Sequence, residues 1–430
     1  MSTYPTHKPS GIEWLGDIPE HWISTRVKNA LVFDIGGTPS RNKMEYFDGD
    51  NLWVSIADLN NQDLITDTNE KITDEAIEDS NCKLIPKDSL LFSFKLSVGH
   101  LAFAGSNLYT NEAIAAFRPS NRLNVRFLKY LLQIEFESNA NTNIYGAYLF
   151  NKETLGAAKI VFPDDSKEQT AIANYLDEKT SKLDQLISNK KAQIEKLKEI
   201  RQIEIYTAVT KGLNANVKLK PSGIEWLGDI PEHWEVKRLK LIGKNIGGLT
   251  YSPDDVLEDE SGTLVLRSSN IQNGKFSKED NVFVDLEISN KQTTYVDDIL
   301  LCARNGSVAL VGKNILIDEE TSGLSFGAFM SVFRSKSNSY IYWFFNSPIF
   351  SAQKGLFSTT TINQLTSRIL YAMYSALPPI EEQTAIADYL DKKTGKLDQL
   401  VSNLENQIEQ LQEVRKIEIY NAVTGKIKID

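Results

Sequence analysis

The sequence predicts an α/β (α+β) chain: two mixed domains joined by two long antiparallel helices that form a coiled coil, with an internal pseudo-two-fold duplication. Three observations predict it. At 430 residues the chain exceeds what one hydrophobic core usually serves. Lys8 to Trp22, KPSGIEWLGDIPEHW, recurs without change at Lys220 to Trp234. Glu168 to Lys211 recurs at Glu382 to Gly425 with 31 of 44 positions identical. Self-similarity on this scale is duplication, and it orders the chain as A, variable, B, A, variable, B. If the chain ends lie close together, that order closes on itself.

The elements follow from local pattern. In the first B segment Leu176, Leu183, Ile187, Ile194 and Leu197 recur at three-four spacing, and in the second Leu390, Leu397, Val401, Leu404, Ile408 and Leu411 do the same. Such spacing lays one apolar stripe along a helix. About forty residues at 1.5 Å each span roughly 60 Å. A two-fold axis crossing two such helices makes them antiparallel, so the stripes form a coiled-coil seam, with Lys190 opposite Leu404 as a register device. Each helix is expected to stop near a glycine, in Thr-Lys-Gly or Thr-Gly-Lys. The variable segments, roughly 23–162 and 235–377, do not align convincingly with each other. Their short β-branched and aromatic runs at Leu52–Ile56, Leu90–Phe94, Thr263–Leu266, Ile299–Ala303 and Val308–Val311 predict strands. Each segment closes with a helix (Val125–Gln133; Tyr340–Phe345) and a strand running to Pro163 or Pro378. The resulting division is 1–162, 163–212, 213–377 and 378–430.

Composition narrows the function. No apolar run approaches the roughly 20 residues that cross a bilayer, and the N-terminus has no secretory stretch, which places the chain in the cytoplasm. Two cysteines, Cys82 and Cys302, and four histidines, His7, His21, His100 and His233, lack ligand spacing, so neither a disulfide framework nor a zinc site is expected. The net charge of -10 is the wrong sign for holding nucleic acid by bulk electrostatics, so any such role needs local patches or basic partners. The Gly-Lys pairs at Gly243, Gly274, Gly312 and Gly425 lack the rest of a phosphate-binding loop. No methyl-transfer motif is present either. An autonomous nuclease could be read into Pro163-Asp164 and Asp177-Glu178-Lys179. The duplicate opposes it, because Pro378-Pro379 replaces the first acid pair.

Groups suited to DNA are better represented. In the first variable segment these are Thr38, Ser40, Arg41 and Lys43 of GGTPSRNK, then Lys95 and Ser97 of FKLSVG. In the second they are Arg267, Ser268 and Asn270 of LRSSN, then Arg304, Asn305 and Ser307 of ARNGS. Arginine to guanine and asparagine to adenine are the geometrically favoured pairs. For any single one of these residues an ordinary turn or surface role is the commoner use. The A segments are too short to form a core, so Trp14, Trp22, Trp226 and Trp234 must pack on their own domain or on another subunit. Tyr175 and Tyr389 join them as docking candidates.

These strings together resemble the specificity subunit of type I restriction-modification enzymes, over essentially the whole chain. The carriers are the duplicated WLGDIPEHW, the Pro-x-x-Glu-Gln-x-x-Ile-Ala-x-x-Leu-Asp start at Pro379 with its looser copy at Pro163, and the ends Tyr206-Thr-Ala-Val-Thr and Tyr420-Asn-Ala-Val-Thr. GGTPS and NLWVSIADL also look familial. The resemblance implies a non-catalytic, DNA-reading subunit. Each variable segment would be a target recognition domain reading one half of a bipartite, asymmetric double-stranded DNA site in the major groove, and the coiled coil would set the gap. Two methyltransferase subunits carrying S-adenosylmethionine would dock on the repeats, and two restriction subunits using ATP and Mg2+ would complete the complex, with no cofactor on this chain. A scaffold that joins partners without reading DNA is the other alternative. The variable segments carry net charges of -3 and -1, which implies weak phosphate affinity for the isolated chain.

Overall fold

The computed structural model describes residues 2–429 apart from 61, 96, 140, 143–147, 150, 273 and 358–362. Contacts divide the chain into two compact units, 1–190 with 406–430, and 191–405. The units cut across the linear segments because each long helix, Ser166–Lys211 and Ile380–Val423, gives its first part to one unit and its last part to the other.

In the first unit the A segment forms a small hairpin, His7–Pro9 with Asp17–Pro19, and then the strand Trp22–Arg26. That strand pairs antiparallel with Lys159–Pro163, the strand that leaves the variable segment. Between them lie a five-stranded sheet, in the order Phe33–Ile35, Ile114–Phe117, Leu90–Ser93, Leu101–Ala104, Leu64–Ile65, and a three-stranded sheet built on Asn51–Val54. All four residues of Leu90–Ser93 are buried. Leu90 and Phe92 face the core that also takes Trp22, Ile172 and Leu176 of the helix, and Ile419. Leu91 faces a second core with Val54, Ile85 and Leu108. A strand buried on both faces loses the alternation of a half-exposed one. Each fully buried side chain of this size contributes ~1.5–3 kcal/mol.

The second unit repeats the plan. Leu219–Pro221 pairs with Asp229–Pro231, and Glu235–Arg238 with Tyr374–Leu377. The enclosed sheet runs Lys244–Gly247, Met330–Arg334, Ile299–Cys302, Asn314–Leu316. Ile299 and Leu301 face the core shared with Ile205, Val209 and Leu390, while Leu300 and Cys302 face the domain's own core. One predicted strand is absent: Val308–Leu310 is a 3-10 turn. The Ser307 and Val308 carbonyls accept from the Leu310 and Val311 amides, and Val308 is 53% exposed. A β-branched run lying outside the sheet has no ladder partner, so local turn bonds decide its shape.

The helix pairing is antiparallel and is made twice. In the first unit Tyr175 donates to Glu418 at 2.7 Å, Lys179 pairs with Glu418 at 3.2 Å and Arg415 with Asp184 at 3.0 Å. In the second unit Tyr389 donates to Glu204 at 2.7 Å, Lys393 pairs with Glu204 at 3.1 Å and Arg201 with Asp398 at 3.2 Å. Each contact of one set is the 214-residue offset of a contact in the other, the isologous pattern of a two-fold pair. Exposed ion pairs of this kind are worth ~0–1 kcal/mol, so they fix register more than stability. Burial beside Glu418 pushes the Tyr175 hydroxyl up to about 12. Along the seam Leu183, Ile187, Ile194, Leu397 and Ile408 are buried, and Leu197, Val401, Leu404 and Leu411 are half-buried. Lys190 donates to Gln407 at 2.5 Å.

Gly212 and Gly425 follow the helix ends with φ of +74° and +72°, which favours glycine. A Cβ on Gly425 would lie 2.4 Å from the Pro19 ring. The helix ends therefore close directly onto the A segments. No helix among the described residues is long and apolar enough to cross a membrane.

Candidate nucleic-acid interface

In the second domain the strand Thr263–Leu266 runs into a 3-10 turn, Ser268–Asn270, and the strand Ile299–Cys302 into the loop Ala303–Ser307. With the turn at Gly327–Phe329 they surround an open cleft of about 860 Å³. Arg267, Ser268, Arg304 and Asn305 line it, so four of the six candidates on this segment come together. The Asn305 amide donates to Ser268 Oγ at 3.2 Å, joining the two loops. Arg267 is committed elsewhere, donating to the Asp280 carbonyl and pairing with its carboxylate, both at 2.6 Å. Arg304 is exposed, with its guanidinium 5.2 Å from the centre of the Phe329 ring. Ser307 lies outside the cleft as the residue preceding the Val308–Leu310 turn.

Asn270 is a correction. Its side chain is fully buried, its Oδ1 accepts from the Arg267 amide at 2.8 Å, and its Nδ2 donates to Ser277, Glu279 and Asn281. An amide that is fully buried, with its oxygen and its nitrogen both engaged inside the fold, has no edge to offer a base. Asn270→Ala is expected to lower unfolding stability by about 2 kcal/mol, by stranding buried partners. Denaturant unfolding of the full chain checks it.

The first domain places its candidates on the corresponding loops. Thr38 donates to Glu112, and Arg41 forks onto Glu70 at 2.5 and 2.8 Å while lying 4.1 Å over the Phe47 ring. Lys43 is bound by Asp79 and Tyr46. The Thr38 hydroxyl, then the charges of Lys95 and Arg41, hold the Glu112 carboxyl below the usual carboxylate range despite partial burial. Ser40 and Ser97 are exposed, and the Ser97 carbonyl accepts from Ser93. Lys95 is exposed, 5.5 Å from the centre of the Phe94 ring.

The docking candidates separate. Trp22 and Trp234 are fully buried in their own units, so neither ring is available to another subunit. Each caps a repeated junction: Trp22 Nε1 donates to Glu168 at 3.0 Å and Trp234 Nε1 to Glu382 at 2.7 Å, with His21 and His233 on the same carboxylates at 2.8 and 2.6 Å. Trp14 and Trp226 are half-buried against those cores, as are Tyr175 and Tyr389. The triplet behind a nuclease reading is dispersed: Asp177 is bound by Arg126 and Tyr130, Glu178 by Lys182, and Lys179 by Glu418. Among the described residues no group of three His, Cys, Asp or Glu could hold a metal ion.

Sequence reasoning missed Phe329, which stands 59% exposed at the lip of the cleft. It also missed Glu112. Both occupy the stretch after a parallel strand pair, and nothing local in Gly-Ala-Phe or Asn-Glu-Ala signals such a place.

The family model for the type I restriction modification DNA specificity domain matches residues 20–196 and 231–410. Over 433 residues the chain is 24% identical to the MjaIX type I restriction enzyme specificity subunit of Methanocaldococcus jannaschii, spanning 97% of this chain and 96% of that one. A solved chain described under complex assembly and conformational transition of the type I R-M system superposes with a TM-score of 0.74 at 14% identity, over 95% of this chain and 99% of its own. The HsdS subunit from Thermoanaerobacter tengcongensis gives 0.51 at 13% identity, over 95% and 98%.

Proposed function

Because the chain belongs to the family of type I restriction-modification DNA specificity subunits, we propose that its two variable domains each read one half of a bipartite, asymmetric DNA site in the major groove. The coiled coil sets the unread gap. Membership makes the chain a non-catalytic recognition component. The observation that carries the fuller reading is the pattern of change along the duplication. The hairpins, junctions and helices are nearly the same in both copies, whereas the loops around the cleft differ in almost every polar residue. A protein that holds the same partner twice and reads two different sequences needs that division.

The repeats are the docking surface for two methyltransferase subunits, which bring S-adenosylmethionine, and two restriction subunits bring ATP and Mg2+. Support for a partner held twice comes from exposed apolar positions off the seam. Leu186, Val414 and Ile417 in the first unit are 41–47% exposed, and their repeat mates Leu400, Ile200 and Ile203 in the second are 42–55% exposed. A helix rarely keeps such residues in water at matching positions of two copies without a use for them.

Co-expression with a cognate methyltransferase subunit, followed by sequencing that reports modified bases, tests the proposal. The expected result is one bipartite motif with a fixed gap. A stable complex that modifies no defined motif would favour the scaffold, and plasmid cleavage by the purified chain with a divalent metal would favour the nuclease.

A further inference from the structure

The two variable domains, which their sequences leave unaligned, are aligned by their strand registers. Thr110 pairs with Val54 in parallel in one domain, and Phe326 with Leu266 in the other. Ala115 pairs with Ile35, and Ser331 with Gly247. The amides of Gly36 and Gly37 donate to Ile114 and Thr110, and those of Gly248 and Leu249 to Met330 and Phe326. On this alignment the strands Leu90–Ser93 and Ile299–Cys302 are equivalent. Two residues beyond their ends, Lys95 and Arg304 fall on one position.

That position differs from the other cationic candidates. Arg41 is held by Glu70, Lys43 by Asp79 and Arg267 by Asp280. A side chain already holding a carboxylate must release it before it can grip a base. Lys95 and Arg304 are exposed, and among the described residues neither makes an ion pair within 4 Å; the Lys95 charge acts on the Glu112 carboxyl without contact, while Glu112 is bound by Thr38. Each instead lies against an aromatic ring, at 5.5 and 5.2 Å from its centre. A cation held by the face of a ring spends none of its N–H donors on a hydrogen-bond acceptor there. The exposed ring of Phe329 beside Arg304 offers an apolar face to the next base.

We propose that this shared position fixes one base in each half-site, Arg304 gripping a guanine through O6 and N7 in the second domain's half and Lys95 gripping a guanine in the first domain's half. This rests on the reading that the variable domains contact DNA bases. Arginine and lysine are the side chains that match the guanine edge, and loss of such a contact costs about tenfold or more in discrimination.

The experiment is modified-base sequencing of DNA methylated by the full chain with its methyltransferase subunit, comparing wild type, Arg304→Ala, Arg304→Gln and Lys95→Ala. Arg304→Ala is expected to raise methylation of sites altered at one guanine at least tenfold relative to the unaltered motif, in one half only. Lys95→Ala does the same at one guanine of the other half. Arg304→Gln moves the preference at its position toward adenine, the base glutamine matches. Co-elution with the methyltransferase subunit establishes that each variant is folded. An unchanged motif, or an equal loss at every sequence as a phosphate contact would give, overturns the proposal. A wild-type complex with no bipartite motif overturns the underlying reading instead, and the proposal with it.

Discussion

Replacing residues 245–333 with the chain's own residues 33–117 is expected, on the proposed reading, to make both halves of the methylated motif alike. The exchange is expected to work because the ends of the insert are built the same way in both domains. Phe33 pairs with Phe117 across the outer strand pair, and Asn245 with Phe333. Facing residues of an antiparallel ladder lie roughly 5 Å apart, so the transplanted piece arrives with its ends already at the right separation. Its buried faces also match. Leu90, Phe92 and Phe117 would stand where Ile299, Leu301 and Phe333 meet the core formed with Ile205, Val209 and Leu390. Leu91, Ile114 and Ala116 carry a core of their own with them. Since the helix contacts are isologous, two like readers should give an inverted repeat, as site symmetry follows protein symmetry. The effect is a change at every read position of one half, larger than any single substitution can give. Sequencing of modified bases reports it directly. A motif that kept its two unlike halves, made by a complex that still assembled, would remove the variable domains as readers and leave the scaffold.

The parts legible in the sequence were those where one residue type has few structural options. An apolar stripe recurring over forty residues predicts a helix and its seam, and the eleven stripe positions of the two copies need only be Leu, Ile or Val to pack as they do. The glycines at 212 and 425 announce helix ends because the backbone there is left-handed. The kinship of the variable domains was not legible. A strand buried on both faces asks only for apolar bulk, which Leu90–Ser93 and Ile299–Cys302 supply with a single identity in register, Leu91 with Leu300. Asn270 misled for a related reason. The residue types that read bases are also those that tie turns, and only burial distinguishes the uses. Val308–Val311 carried a strand-like composition with no neighbouring strand to pair with. Trp22 and Trp234 were legible as residues that must pack, but the choice between an internal and an external partner depended on the remote carboxylates Glu168 and Glu382, more than 140 residues along the chain.

Those tryptophans carry the largest effect expected on stability. Trp22→Ala and Trp234→Ala should each lower unfolding stability by about 3–5 kcal/mol, the range for emptying a core site of this size. In a unit of this length that corresponds to a midpoint lower by roughly 10 °C. The carboxylate left behind adds little in either copy, for different reasons. Glu168 is 16% exposed but keeps two donors, Tyr4 at 2.6 Å and His21. Glu382 keeps only His233 among these, since Asn216 stands where the first copy has Tyr4, but it is 44% exposed and water can replace the indole. The two alanine variants should therefore agree within about 1 kcal/mol, and Trp→Phe at either site, which keeps most of the bulk and loses one hydrogen bond to a charged group, should cost about 1.5–3 kcal/mol. Scanning calorimetry of the full chain separates this from the docking role first considered for these residues. Were the rings used to hold a methyltransferase subunit, the variants would unfold at the wild-type temperature and fail only in complex formation. With both indoles sealed inside their units, the order of loss should be the reverse: the fold weakens first, and association fails only as the junction between hairpin and helix opens.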